Sequence, residues 1–126
     1  MLKAIKVVLV LLAVLFTLIG MRWLVDPGGS AQGLGFELAH GLGRSSQIGD
    51  LFSFFLTISV CVLTAVVTNR VVWLYPPLLL LGLAIVGRLV AWLVHDAAFA
   101  AAPLTVEGVS VVVLLFALRL FPAREN

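Results

Sequence analysis

Charge is scarce in this chain: of 126 residues only 11% are Asp, Glu, Lys or Arg, while 63% are hydrophobic. Ordinary soluble domains carry about 25% charged and about 45 to 50% apolar residues, so the polar surface needed to face water is missing. With a mean hydropathy of +1.22, the chain needs lipid as its solvent. Cysteine is nearly absent as well. Cys61 is alone, which excludes an intramolecular disulfide and any CxxC dithiol chemistry within the chain. Two histidines, with no spacing that matches a metal or haem motif, give no reason to expect a metal or another cofactor. The eight basic residues outnumber the six acidic ones, but they are scattered rather than clustered. They read as topology signals and not as a nucleic-acid surface.

What is present is a set of long apolar runs, and the whole of residues 1–126 reads as a single transmembrane domain with no room for a separate soluble catalytic domain. The first run spans residues 7–25, behind Lys3 and Lys6, and stops at Asp26-Pro27-Gly28-Gly29. It is long for the core of a secretory signal, lacks a small-x-small cleavage site before the glycines and is followed by further spans, so it reads as an uncleaved anchor. The second run covers 51–67. The third covers 71–94, with Pro76 and Pro77 in its first turns, where a missing amide donor is tolerated. The fourth covers 104–121 between Pro103 and Pro122. Each is near the ~20 residues that a membrane helix needs, whereas membrane strands are about half as long. The expected fold is all-α: a polytopic bundle of four transmembrane helices.

Basic residues orient the bundle. With the N-terminus inside, Lys3, Lys6, Arg70, Arg119 and Arg124 are cytoplasmic, and only Arg22 and Arg44 lie opposite. Both termini are then cytoplasmic, and the connection of residues 26–50 is the outer loop. Within it, Leu34, Leu38 and Leu42 recur at i, i+4 and i+8, which predicts a short interfacial helix; a Gly-rich mobile lid is the alternative. The run Gly-Leu-Gly-Phe-Glu-Leu-Ala-His-Gly-Leu-Gly is no phosphate loop, because no strand precedes it and no Gly-Lys-Ser/Thr follows. Trp23, Trp73, Tyr75 and Trp92 fall near span ends, as interface anchors do.

Polar residues follow faces. Asp50, Ser53, Thr57, Thr64 and Thr68, with Cys61 close by, form a stripe on the second span; Ala13, Thr17 and Gly20 share a face of the first; Ala84, Arg88, Ala91 and His95 share one of the third. Small and hydroxylated residues let membrane helices approach closely, so packing seams are the expected role of these stripes, with a polar cavity as the other reading.

Arg88 stands apart. A guanidinium cannot shed its charge, and at membrane depth it costs at least ~2.5 to 3.5 kcal/mol on insertion scales, so it needs a partner. The antiparallel return of the chain through residues 97–103 places Glu107 at a similar depth. Asp50 is expected to enter from the second span, Asp96 to lie just above, and Arg44, Glu37 and His40 to face them from the loop. Three roles follow. Arg88 with Glu107 or Asp50 is a structural clamp; or Arg88 binds a phosphate or carboxylate head whose apolar tail lies between helices; or His95, flanked by Asp96 or Glu107, transfers protons.

The run Gly87-Arg88-Leu89, the His95-Asp96 turn and Glu107 early in the fourth span resemble the small bacterial four-helix membrane proteins grouped as domain of unknown function 4345, similar in layout to the DoxX-like proteins. The resemblance covers about residues 5 to 121. It implies a four-helix fold in a bacterial inner membrane, with Arg88 and Glu107 as the family's recognisable polar positions, and it carries no established reaction.

These readings lead to an accessory subunit or an amphiphile-binding protein, with a lipid, a quinone-like molecule, a larger membrane complex or further copies of itself as partner. Arg88, Glu107, His95, Asp50 and Asp96 are its candidate ligand-binding residues. The rival is a small intramembrane enzyme acting on a lipid or isoprenoid, with His95 and Glu107 as the acid-base pair. Transport is disfavoured, because four spans show no broken-helix repeat and no charged path to the cytoplasmic side.

Overall fold

The computed structural model describes residues 1–122. All its regular elements are helical: α1 (Leu2–Val25), α2 (Pro27–Gly33), α3 (Leu42–Thr68), a 3₁₀ turn (Val71–Leu74), α4 (Tyr75–Val94) and α5 (Ala101–Leu120). Four helical stretches, the third being the 3₁₀ turn run on into α4, are long and apolar enough to cross a membrane. The chain is a multi-pass membrane protein built as a helical bundle. Arg124, counted above as a basic topology signal, lies outside the described residues.

Local chemistry sets the helix ends. Proline disfavours helical geometry in the residue before it, and Asp26 leaves the helix with φ −141° and ψ 67°. Asp26 then closes one helix and opens the next. Its N–H donates to the Arg22 carbonyl at 2.7 Å, and its Oδ1 accepts from the Gly29 N–H at 3.1 Å, with Pro27 in the first turn of α2. At the far end of α3, Asn69 adopts the left-handed conformation (φ 53°) that commonly terminates helices.

α1 starts five residues earlier than its apolar run and α5 three, and two stretches differ more. The second span begins as a helix at Leu42, not near Leu51. Hydropathy marks where the apolar stretch starts, but Arg44, Ser45, Ser46 and Gln47 are compatible with helix, and nothing before Asp50 breaks it. The first loop does hold a short helix, yet that helix is Pro27–Gly33 and not the leucine-spaced segment. Gly35 and Gly41, at φ 80° and 57°, interrupt that segment at both ends. The irregular stretch between them is tied down by α3: Gln47 accepts from the Ala39 N–H at 2.8 Å and donates to the Glu37 carbonyl at 3.1 Å, while Arg44 Nε donates to the Ala39 carbonyl at 2.9 Å.

The helices pack in cyclic order α1, α3, α4, α5, with α1/α3 the most extensive interface and α4/α5 the next. On α1 the buried residues Ile5, Leu9, Ala13, Phe16, Gly20 and Trp23 recur every three or four positions. Gly20 marks a close approach there: a Cβ would displace the Leu56 δ-methyl and sit 3.2 Å from Phe55 Cβ. The facing seam on α3 is Phe55, Ile58, Ser59, Val62 and Ala65, not the predicted polar stripe. Asp50, Ser53 and Thr57 are exposed, and Thr64 and Thr68 bond only to carbonyls of their own helix. Ser59 supplies the one hydroxyl of the seam, donating to the Ala13 carbonyl across the interface at 2.9 Å.

The core is continuous toward the end that carries the termini, through Leu9, Val62, Leu74, Leu114, Ala117 and Phe121. Lys6 closes that end by bonding the Asn69 side chain, with its Nζ 5.9 Å from the Phe121 ring centroid. At the opposite end, beneath α2 and the α4–α5 connection, the helices part.

Candidate functional site

Glu107 belongs to the buried stripe of α5, with Ser110, Leu114 and Ala117. Leu81, buried on α4, sets the inward direction of that helix, and Arg88 follows two turns later on the same side. The two charged residues therefore face each other across α4/α5. Arg88 Nε donates to Glu107 Oε1 at 2.9 Å and to Oε2 at 3.0 Å. The carboxylate is 8% exposed and the guanidinium side chain 28%. Neither Nη of Arg88 makes a hydrogen bond among the described residues, so the outer edge of the guanidinium keeps its donors.

Beside this pair lies a cavity of about 270 Å³. Phe16 and Ile19 of α1, Phe54 and Phe55 of α3, Leu81 of α4 and Val106 of α5 give it apolar walls. Its polar lining consists of Arg22, Trp23, Ser30, Arg88 and Glu107. A second, more open hollow of about 580 Å³ lies between Gly33–Gly35 and residues 97–103. Gly33, Leu34, Arg88, Ala102 and Pro103 line both, which makes Arg88 the polar residue at their junction.

Two residues of the cavity lining each carry a fully buried polar atom, Trp23 Nε1 and Ser30 Oγ, that has no hydrogen-bond partner among the described residues and no surface open to the cavity. Trp23 is fully buried and Ser30 is 7% exposed. An unpaired buried donor costs about 1 to 3 kcal/mol, so such atoms are seldom left without a partner. Trp23 is therefore not the interface anchor that its place near a span end implied; it continues the Phe16–Gly20 seam of α1. Trp73, Tyr75 and Trp92 are exposed, as anchors should be.

The expected convergence of charged groups is only partly present. Asp50 is exposed on α3 and joins no ion pair among the described residues, because the helix starts earlier than hydropathy indicates and turns this residue outward. His95 ends α4 and Asp96 follows at φ 57°; both are exposed and line neither cavity. Arg44 contacts His40 at 3.4 Å within the loop, and neither they nor Glu37 reach the cavity. Arg22, Trp23 and Ser30 take the places these residues were expected to fill. Arg22 pairs with Asp26 at 3.2 Å in an exposed bridge. The spacing of α1 offered a signal for Trp23, whereas Ser30 depends on the Asp26 cap that folds α2 over the opening.

No group of three or more His, Cys, Asp or Glu among the described residues could hold a metal ion. Compared with family models, with curated proteins and with solved structures, the chain finds no match. Its geometry is suited to holding a molecule with a small polar head and an apolar body.

Proposed function

We propose that the protein binds a membrane amphiphile, a lipid or a quinone-like molecule, in the cavity beside Arg88 and Glu107, either on its own account or as an accessory subunit of a larger membrane assembly. In this reading it resides in a bacterial inner membrane with both termini in the cytoplasm. The cavity then opens toward the outer leaflet, and kinship with the family of unknown function that it resembles is part of the same proposal.

One observation carries the reading: the ion pair is not closed on itself. A pure clamp would use the guanidinium edge to bridge helices and leave no space beside it. Here Arg88 spends only Nε on Glu107, its Nη donors have no partner among the described residues, and the residue lines a cavity with mostly apolar walls. Apolar walls with a few convergent polar groups are the usual make-up of a small-molecule site. His95 lines neither cavity, so no observation favours acid-base catalysis.

The test is native mass spectrometry of protein extracted gently from its own membrane, with chemical identification of what stays bound, in wild type and Arg88→Leu. A defined amphiphile held by the wild type and absent from the variant supports the proposal. Bare protein in both returns Arg88 to the role of clamp.

A further inference from the structure

We infer that the amphiphile held in the cavity has a head with one net negative charge, a carboxylate or a phosphate, and that Arg22 binds it together with Arg88. This deepens the amphiphile-binding reading and rests on it.

The inference follows from which charged residues line the cavity and which donors they keep. Two guanidinium groups, Arg22 from the last turn of α1 and Arg88 from the second half of α4, stand there against the single carboxylate of Glu107. The lining therefore carries one positive charge in excess. Asp26, which meets Arg22 at 3.2 Å, is not part of the lining, and that bridge is 56% and 58% exposed on its two sides, where an ion pair holds weakly. Arg22 can thus exchange Asp26 for a ligand. On Arg88 only Nε is spent, on both oxygens of Glu107, and on Arg22 only one Nη meets Asp26 among the described residues. The remaining N–H groups can only donate, and their planar fork matches the oxygens of a carboxylate or phosphate in paired, charge-assisted bonds. Phe16, Phe55, Leu81 and Val106 supply apolar surface for the tail. An uncharged head leaves the excess charge in place, and a cationic head is repelled by it, with the only carboxylate of the lining already taken. Arg22, which the sequence marks only as a topology signal, becomes a binding residue.

Such a head could belong to an anionic phospholipid of the bilayer or to a free carboxylate amphiphile. The experiment separates the two. Wild-type protein is placed in nanodiscs of phosphatidylcholine, and melting is followed against three probes that share one chain: dodecanoate at alkaline pH, where it is ionised, dodecanol, and dodecyltrimethylammonium. Dissociation constants, as mole fraction of probe in the disc, come from the concentration dependence of the melting shift. Dodecanoate is expected to stabilise saturably, with the other two at least about tenfold weaker. Arg22→Gln, which gives up only an exposed bridge, should weaken dodecanoate about tenfold and leave dodecanol as it was. Glu107→Gln keeps an acceptor for Arg88 Nε and removes the opposing charge, so it should tighten dodecanoate about fivefold. A merely structural role for either residue would not move the two affinities in opposite directions. With no probe added, melting higher in phosphatidylglycerol than in phosphatidylcholine discs, by a margin that Arg22→Gln abolishes, assigns the head to a bilayer lipid. Equal melting in the two discs, with dodecanoate bound, assigns it to a free amphiphile.

Dodecanol or the ammonium probe binding as well as dodecanoate overturns the anionic-head inference and leaves the amphiphile reading standing. Full dodecanoate binding by Arg22→Gln overturns it too, and that variant decides alone if Glu107→Gln does not fold. A folded Glu107→Gln that binds dodecanoate no tighter than wild type shows that the charge of the lining does not set affinity, and has the same consequence. If no probe binds and melting is equal in the two discs while the native protein still carries an amphiphile, the inference fails alone. If the native protein is bare as well, the amphiphile reading fails with it.

Discussion

Arg88 and Glu107 meet through a single nitrogen: Nε of the arginine donates to both carboxylate oxygens, at 2.9 and 3.0 Å, and the two Nη groups make no hydrogen bond among the described residues. The pair is thus both a link between α4 and α5 and one wall of a cavity. A link and a binding group respond differently to substitution, which makes the two roles separable.

Arg88→Leu strands the 8%-exposed Glu107 carboxylate and should lower stability by about 3 kcal/mol. The double variant Arg88→Leu/Glu107→Leu should recover most of that loss, because two apolar side chains leave no buried charge. Thermal melting of the single and double variants in the same detergent checks this. A double variant no more stable than Arg88→Leu would mean that the pair contributes more than mutual compensation.

Ser59→Ala removes the hydroxyl that reaches the Ala13 carbonyl across α1/α3, and a loss of about 0.6 to 1 kcal/mol is expected. Thr57→Ala, two positions earlier on the exposed face, should leave melting unchanged. Equal effects at the two positions would contradict the seam described here.

Helix number, the order of the spans and the pairing of Arg88 with Glu107 were all legible from apolar runs and the antiparallel return after residue 94. What hydropathy hid was rotation. Asp50, Ser53 and Thr57 share a face, but that face turns outward, since the seam is chosen by the larger burial of Phe55, Ile58 and Val62. An early helix start at Leu42, invisible to an apolar window, likewise removed Asp50 from the expected cluster. Trp23 was legible in principle from the three-and-four spacing of α1. Ser30 was not, because its position depends on how Asp26 caps α2 over the bundle, and capping geometry is decided after the chain has turned.

Gly20 offers a test of close approach. Gly20→Ala should be tolerated by movement of the Leu56 δ-methyl, whereas Gly20→Leu should force α1 and α3 apart at the cavity floor and cost about 1 to 3 kcal/mol. Melting of both variants checks this, and a Gly20→Leu protein as stable as wild type would show that the helices are not in contact there.

Orientation can be read by labelling. In a Cys61→Ala background, Asp96→Cys and Glu37→Cys should react with a membrane-impermeant maleimide added to intact cells, and Arg70→Cys should react only after the cells are opened. The wild-type protein, with Cys61 buried inside α3, should stay unlabelled in both conditions. The reverse pattern for the introduced cysteines would turn the cavity toward the cytoplasm.

The most direct measurement is fluorescence of Trp23 alone, in a Trp73→Phe/Trp92→Phe protein, titrated with a brominated dodecanoate in phosphatidylcholine nanodiscs. Trp23 is buried beside the cavity while Trp73 and Trp92 are exposed, so bromine held in the cavity lies closest to Trp23. Saturable quenching is expected, and it should weaken when Arg88→Leu is added. Trp23 fluorescence unchanged at every concentration, while a matching protein retaining only the exposed Trp92 is quenched, would show that the amphiphile stays in the bilayer and that the cavity is not its site.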